Sequence, residues 1–310
     1  MKVLMAALLM APLLLNAPAD PPSDVEAEVG QRGNTAFTVL KGSGIRISGD
    51  GARRGRGDGY RIPRPCWYEP GPSPQEMLDR FSKGRDAANF GRIALDRFEA
   101  FIKQFQDKIG KPGRWWTPAY NEADPHHVAC MADLDLFGVF VPPGQTPQNG
   151  LTIEQLAQIA RAALTVPEHT VQLNPDAKSY VNLPTWVWLE GVGQPRRTVT
   201  AELPGVMSVT LVANLQDIQI DPGTTPERAE VEESGCGAAG KPYTEGGTFS
   251  CGVRYLRSSI DQPRERYTLT ITTVWPIEVQ DDVVPFQFDP VQLDVTRDVP
   301  VGEIQSNVRP

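Results

Sequence analysis

Eight residues, Gly235-Cys236-Gly237-Ala238-Ala239-Gly240-Lys241-Pro242, come within one position of the G-x-x-x-x-G-K-[ST] loop that cradles phosphates. That chemistry needs a hydroxyl after the lysine to ligate Mg²⁺, and a helix N-terminus aimed at the anion. Pro242 removes the hydroxyl, and the residues that follow, Tyr-Thr-Glu-Gly-Gly-Thr-Phe-Ser-Cys, carry no helical pattern. The stretch reads as a glycine-rich hairpin loop, and no nucleotide is expected as a partner. Arg56-Gly57-Asp58 spells a tripeptide read by some animal adhesion receptors. Three-residue matches arise often by chance, so this one assigns nothing.

The histidines are His126, His127 and His169. Neighbours on a strand face opposite ways, so His126 and His127 chelate poorly by themselves, although Asp124, Asp133 and Asp135 lie near them in sequence. Neither HExxH nor an EF-hand spacing occurs, and no metal ligands are assigned. A G-x-S-x-G nucleophile elbow is also missing. The 38 acidic residues offer many glycosidase-type carboxylate pairs, but no signature selects one. No catalytic residue and no cofactor are therefore assigned. Trp67, Trp115, Trp116 and Tyr120 are the candidates for a ligand-facing aromatic surface, with packing around a disulfide as the competing reading.

Four cysteines, Cys66, Cys130, Cys236 and Cys251, permit three pairings. Proximity favours Cys66–Cys130 and Cys236–Cys251. An even count fits the N-terminus, where Lys2, an apolar run over residues 3–15 and Ala17-Pro18-Ala19 read as a secretory signal peptide over residues 1–19. The apolar run is too short to cross a bilayer, and no later stretch approaches that length. A net charge of −8 disfavours nonspecific nucleic-acid binding.

The elements that must position these residues divide the chain. Residues 20–65 are rich in Gly and Arg and read as a mobile arm, with Ile45-Arg46-Ile47 as a short alternating stretch. Residues 66–175 read as a helical, disulfide-stapled region. Ser73 and Glu76 form a capping box around Pro74, and apolar residues from Ile93 through Phe98, Phe101, Ile102 and Phe105 to Ile109 recur at helical spacing before Gly110 and Pro112. Thr152 and Gln155 open a second helix over 152–164, and a proline-rich linker places a boundary near residue 175.

From there the pattern turns to strands, at 181–189, 197–203, 206–213, 216–220, 251–256, 266–279, 291–296 and 300–307. Short period-2 runs between Gly/Pro turns predict an antiparallel sandwich of about seven strands over 176–310. In Tyr180-Val-Asn-Leu-Pro-Thr-Trp-Val-Trp-Leu-Glu-Gly191, Trp186 and Trp188 share one face while Val181, Leu183 and Val187 share the other. Both faces are apolar, which predicts that the tryptophans wedge the sandwich against the helical region.

The order YVNLPTWVWLEG, then VTAELPGVMSVTLVANLQDIQID, then SGCGAAGKPY with SCGVRYLRSS and RYTLTITTVWPIEV, then VGEIQSNV, resembles a family of secreted actinobacterial proteins. The resemblance spans roughly residues 178–308. It implies export and a C-terminal sandwich similar to the immunoglobulin-like domains of the polycystic-kidney-disease (PKD) type; it transfers no catalytic residues. The expected fold class is thus α+β, a helical disulfide-stapled region followed by an antiparallel immunoglobulin-like (PKD-like) sandwich. The expected role is that of an exported, noncatalytic protein displaying or binding at the cell envelope. A module for cell-wall polysaccharide is the alternative, and an extracellular hydrolase stands third.

Overall fold

The computed structural model describes residues 40–52, 55–82 and 92–304. The expected signal peptide and the first half of the expected arm lie outside the described residues. The chain opens with β1 (Leu40–Lys41), β2 (Arg46–Ser48) and β3 (Cys66–Pro70). Helices α1 (Pro74–Ser82) and α2 (Arg92–Gln106) precede β4 (Arg114–Asn121). Next come α3 (His127–Ala132), β5 (Val139–Val141) and α4 (Ile153–Ala163). Six strands follow: β6 (Thr170–Asn174), β7 (Ser179–Tyr180), β8 (Pro184–Glu190), β9 (Arg196–Leu203), β10 (Met207–Asn214) and β11 (Asp217–Asp221). The last six are β12 (Ala229–Glu232), β13 (Gly252–Tyr255), β14 (Tyr267–Trp275), β15 (Ile277–Val279), β16 (Val291–Val299) and β17 (Val301–Gly302). The fold is α+β with antiparallel strands predominant.

Two antiparallel sheets, ordered β12–β13–β8–β6 and β11–β14–β16, bury one shared core. The alternation in β14 does this directly: Tyr267, Leu269 and Ile271 are buried in that core while Thr268, Thr270 and Thr272 are exposed or half-buried. Val187 and Leu189 of β8 and Ile218 and Ile220 of β11 enter the same cluster. Inside it the rings of Tyr255 and Tyr267 stack, with centroids 4.7 Å apart.

Between β8 and β11 the chain leaves these sheets as the β9–β10 hairpin. That hairpin builds a third sheet, ordered β15–β10–β9–β2. Helix α4 lies across it, capped at its start by Thr152, whose hydroxyl accepts the Gln155 N–H at 3.3 Å. Leu156, Ile159, Ala160 and Ala163 of α4 join Val199, Ala201, Leu211 and Ala213 of the hairpin in the largest core cluster.

Two expectations change here. Residues 40–52 and 55–65 are not a free arm, because β2 pairs with β9 (Ile47 opposite Ala201) and Leu40, Ile45 and Ile62 are buried. Residues 66–175 are not simply helical either. A fourth sheet, β1–β4–β3 with β5 on β4, runs through them, and β6 pairs with β8 across the expected boundary. Helices α1 and α2 pack Met77 and Phe105 onto Trp115 of this sheet. The Ser73–Glu76 capping box forms at α1 as the spacing predicts, with Ser73 N–H donating to Glu76 at 2.7 Å.

Candidate functional site

Three stretches far apart in sequence meet at one pocket of about 260 Å³: Tyr60, the α4 residues Gln158 and Arg161, and residues 286–289 of the β15–β16 connection. Each is placed by ordinary local rules. Gln158 and Arg161 are three apart, so they share one flank of α4. Arg56 exchanges backbone hydrogen bonds with Val166 at 2.8 and 3.0 Å, which holds the loop ahead of Tyr60 against the residues just after α4. Pro285 and Pro290 bracket Phe286-Gln287-Phe288-Asp289 and bias the residues before them toward extended backbone.

Arg161 is 3% exposed, deep for a charged side chain. Its Nη1 donates to one oxygen of Asp58 at 3.1 Å and its Nη2 to the other, a bidentate pair. The guanidinium also lies over the Tyr60 ring, 4.8 Å from the centroid. Its Nε–H is buried with no partner among the described residues. Burial raises the Tyr60 phenol above its ordinary value, an effect opposed by the Arg161 charge and assisted by Asp58. Phe288 meets Tyr60 edge-on at 5.9 Å and Phe286 edge-on at 5.2 Å, so three half-buried rings at right angles form the aromatic wall. Gln287 and Asp289 are exposed at its mouth. No protein-family model, curated protein or solved structure matches the chain.

None of the pocket residues was a candidate from sequence. The available signals were weak: an arginine among Ala160, Ala162 and Ala163 on a buried helix, and an aromatic pair between two prolines. The Arg56-Gly57-Asp58 tripeptide does enter the site, but as architecture. The Asp58 carboxylate that an adhesion receptor would need is held by Arg161.

The aromatics singled out from sequence do not share a surface. Trp67, Trp115 and Trp116 are buried in three different clusters. The Trp67 indole N–H donates to Glu69 at 2.7 Å, Trp115 packs on Phe105 at 4.8 Å, and half-buried Tyr120 stacks on His127 at 5.2 Å. The three tryptophans fill cores and have no free face to offer a ligand.

Both proximity pairings hold: Cys66 is joined to Cys130, tying β3 to α3, and Cys236 to Cys251. Such bonds form and persist in oxidising compartments. Among the described residues no helix is long and apolar enough to cross a membrane. His126 and His127 turn to Asp124, whose Oδ1 accepts the His126 N–H at 2.8 Å and whose carbonyl oxygen lies 2.6 Å from His127 Nδ1. Among the described residues no group of three or more His, Cys, Asp or Glu is placed to hold a metal.

The Gly-x-x-x-x-Gly-Lys stretch is a loop paired along the edge of β8, where the Leu189 N–H donates to the Ala239 carbonyl at 2.8 Å and the Lys241 N–H to the Val187 carbonyl at 3.0 Å. A Cβ on Gly240 would sit 2.5 Å from the Trp188 Cα, and its φ is +77°. Close backbone approach to a strand, not to phosphate, is therefore what this glycine provides. Lys241 Nζ donates to the Ser250 hydroxyl at 2.9 Å and lies over the Trp186 ring. Tyr243 and Phe249 meet the same ring edge-on at 5.7 and 5.6 Å. The cover over Trp186 is thus the disulfide loop, not the helical region that its apolar neighbours predict.

Proposed function

We propose that this is an exported, noncatalytic binding protein of the cell envelope, built on an immunoglobulin-like sandwich. The strand order carries the reading. Taking β6, β8, β11, β12, β13, β14 and β16 as A to G gives D-E-B-A facing C-F-G, the order of a constant-type immunoglobulin sandwich. Tyr267 supports it: the first residue of the sixth strand sends its hydroxyl back to the carbonyls of Arg257 and Ser258 at 3.1 Å, as a tyrosine corner does. In that reading the B–C and F–G connections lie at one end of the sandwich, the end that immunoglobulin domains use for recognition. The B–C connection here holds the β9–β10 hairpin, and the F–G connection supplies Phe286 and Phe288 to the pocket.

Disulfides and the predicted signal peptide are what support export. The polysaccharide-binding alternative now rests on this pocket rather than on residues 67–120. A retaining or inverting hydrolase would bring two carboxylates to the scissile bond, and Asp289 is the one carboxylate among the described residues lining this pocket. Retention of the mature protein on isolated cell envelope, measured by pull-down against an unrelated acidic secreted protein, tests the reading. Equal washing-off of both proteins would remove it.

A further inference from the structure

We infer that the pocket formed by Tyr60, Gln158, Arg161 and residues 286–289 binds a neutral pyranose, one sugar unit of a glycan, an inference that rests on the binding reading above. The two ends of the Arg161 guanidinium are already committed to Asp58, so the pocket has no free bidentate fork for a carboxylate or phosphate. Asp289 at the mouth has no ion pair among the described residues and would repel an anion. A quaternary ammonium suits aromatic walls, but here it would meet the Arg161 cation already seated over Tyr60.

The polar groups the pocket offers a ligand are the Gln158 and Gln287 amides and the Asp289 carboxylate. A ligand hydroxyl can accept from an amide N–H while donating to a carboxylate or amide oxygen, which a simple cation or anion does not do. Pyranoses combine an apolar C–H face with a rim of such hydroxyls. The face matches the rings of Tyr60, Phe286 and Phe288, and the rim matches Gln158, Gln287 and Asp289. At about 260 Å³ the pocket sits near the lower end of ligand sites, room for one ring rather than for an extended chain.

The test titrates the mature protein, by protein-observed NMR, with glucose, galactose, mannose and N-acetylglucosamine, and with glucuronate and choline as charged probes. One or more neutral sugars should saturate, and more tightly than either charged probe. Asp289→Asn and Gln287→Ala, both at exposed positions, should keep the parental unfolding midpoint yet weaken that sugar several-fold; Tyr60→Ala should weaken it at least tenfold. Saturation by choline or glucuronate alone, no saturation by any neutral sugar, or parental affinity in all three variants overturns the inference. Envelope retention separates the two proposals. Retention that survives in every variant, with no sugar bound, ends the pocket assignment and leaves envelope binding standing. Sugar binding without retention does the reverse.

Discussion

Glu69 and His169 are both buried, and burial moves their proton affinities in opposite directions. Glu69 accepts the Ser43 hydroxyl at 2.6 Å, the Trp67 indole N–H at 2.7 Å and the Gly44 N–H at 2.7 Å. Desolvation raises its pKa above the ordinary carboxylate value, and those three hydrogen bonds pull it only part of the way back. The folded state then holds this proton more tightly than the unfolded chain. Its contribution is complete below the unfolded value and is lost as pH rises through the folded one. Burial depresses His169 instead, with the Pro167 carbonyl opposing the shift. The unfolded chain takes up this proton first, so stability is lost as pH falls below about 6.5. Between these limits the two slopes oppose each other. Glu69→Gln should therefore make acidification from pH 7 to pH 4.5 more destabilising than in the parent, and His169→Asn should make it less so. Urea midpoints at the two pH values measure this, and parallel slopes in parent and Glu69→Gln would contradict it.

At the scale of elements, the loop beside β8 shows how a staple and a ring depend on one another. The Cys236–Cys251 bond closes a 15-residue separation, worth roughly 3 kcal/mol in the chain-entropy account. That closure holds Tyr243, Phe249 and Lys241 over Trp186, which is 5% exposed. Trp186→Ala should cost about 3–5 kcal/mol, and half-buried Trp188→Ala less. Because both changes loosen one loop, Trp186→Ala combined with Cys236→Ser and Cys251→Ser should cost less than the separate costs added. Strict additivity in a double-mutant cycle would show that the ring and the staple act independently.

The same elements show what a sequence can disclose. Strands β8 to β11, β13, β14 and β16 were legible because each alternates or stands between turn residues, and α4 because Thr152 and Gln155 mark its start. β4 was not, since Arg-Trp-Trp-Thr-Pro-Ala-Tyr-Asn shows no period of two and carries a proline. β2 is three residues in a glycine-rich run, and it exists because β9 offers an edge to pair with. The pocket was hidden for the same reason: Tyr60, Arg161 and Phe288 are neighbours only through tertiary contacts that no local pattern records.

For the molecule as a whole, the boundary near residue 175 is where local reading and global packing part. A linker rich in proline reads as a domain junction, yet the chain on its two sides shares a core. The cluster beneath α4 takes Leu156, Ile159, Ala160, Leu164 and Val166 from before the linker, and Val199, Leu211, Trp275, Val291 and Leu293 from after it. Cutting at 175 would strip that apolar face from the β9–β10 sheet, remove β2 from its edge, and take β6 from β8. Large apolar faces left uncovered cost about 25 cal/mol for every Å² returned to water, against a net stability of only about 5–15 kcal/mol for a typical domain. The fragment 176–310 should therefore lack a cooperative urea transition and lose amide protection throughout β9 and β10. The sandwich core around Tyr255 and Tyr267 has its own buried cluster and should keep the greater part of whatever protection survives. Hydrogen exchange on the fragment beside the full chain decides the matter: a sharp transition with full-length protection in β9 and β10 would mean that the sandwich and its hairpin fold as an independent domain.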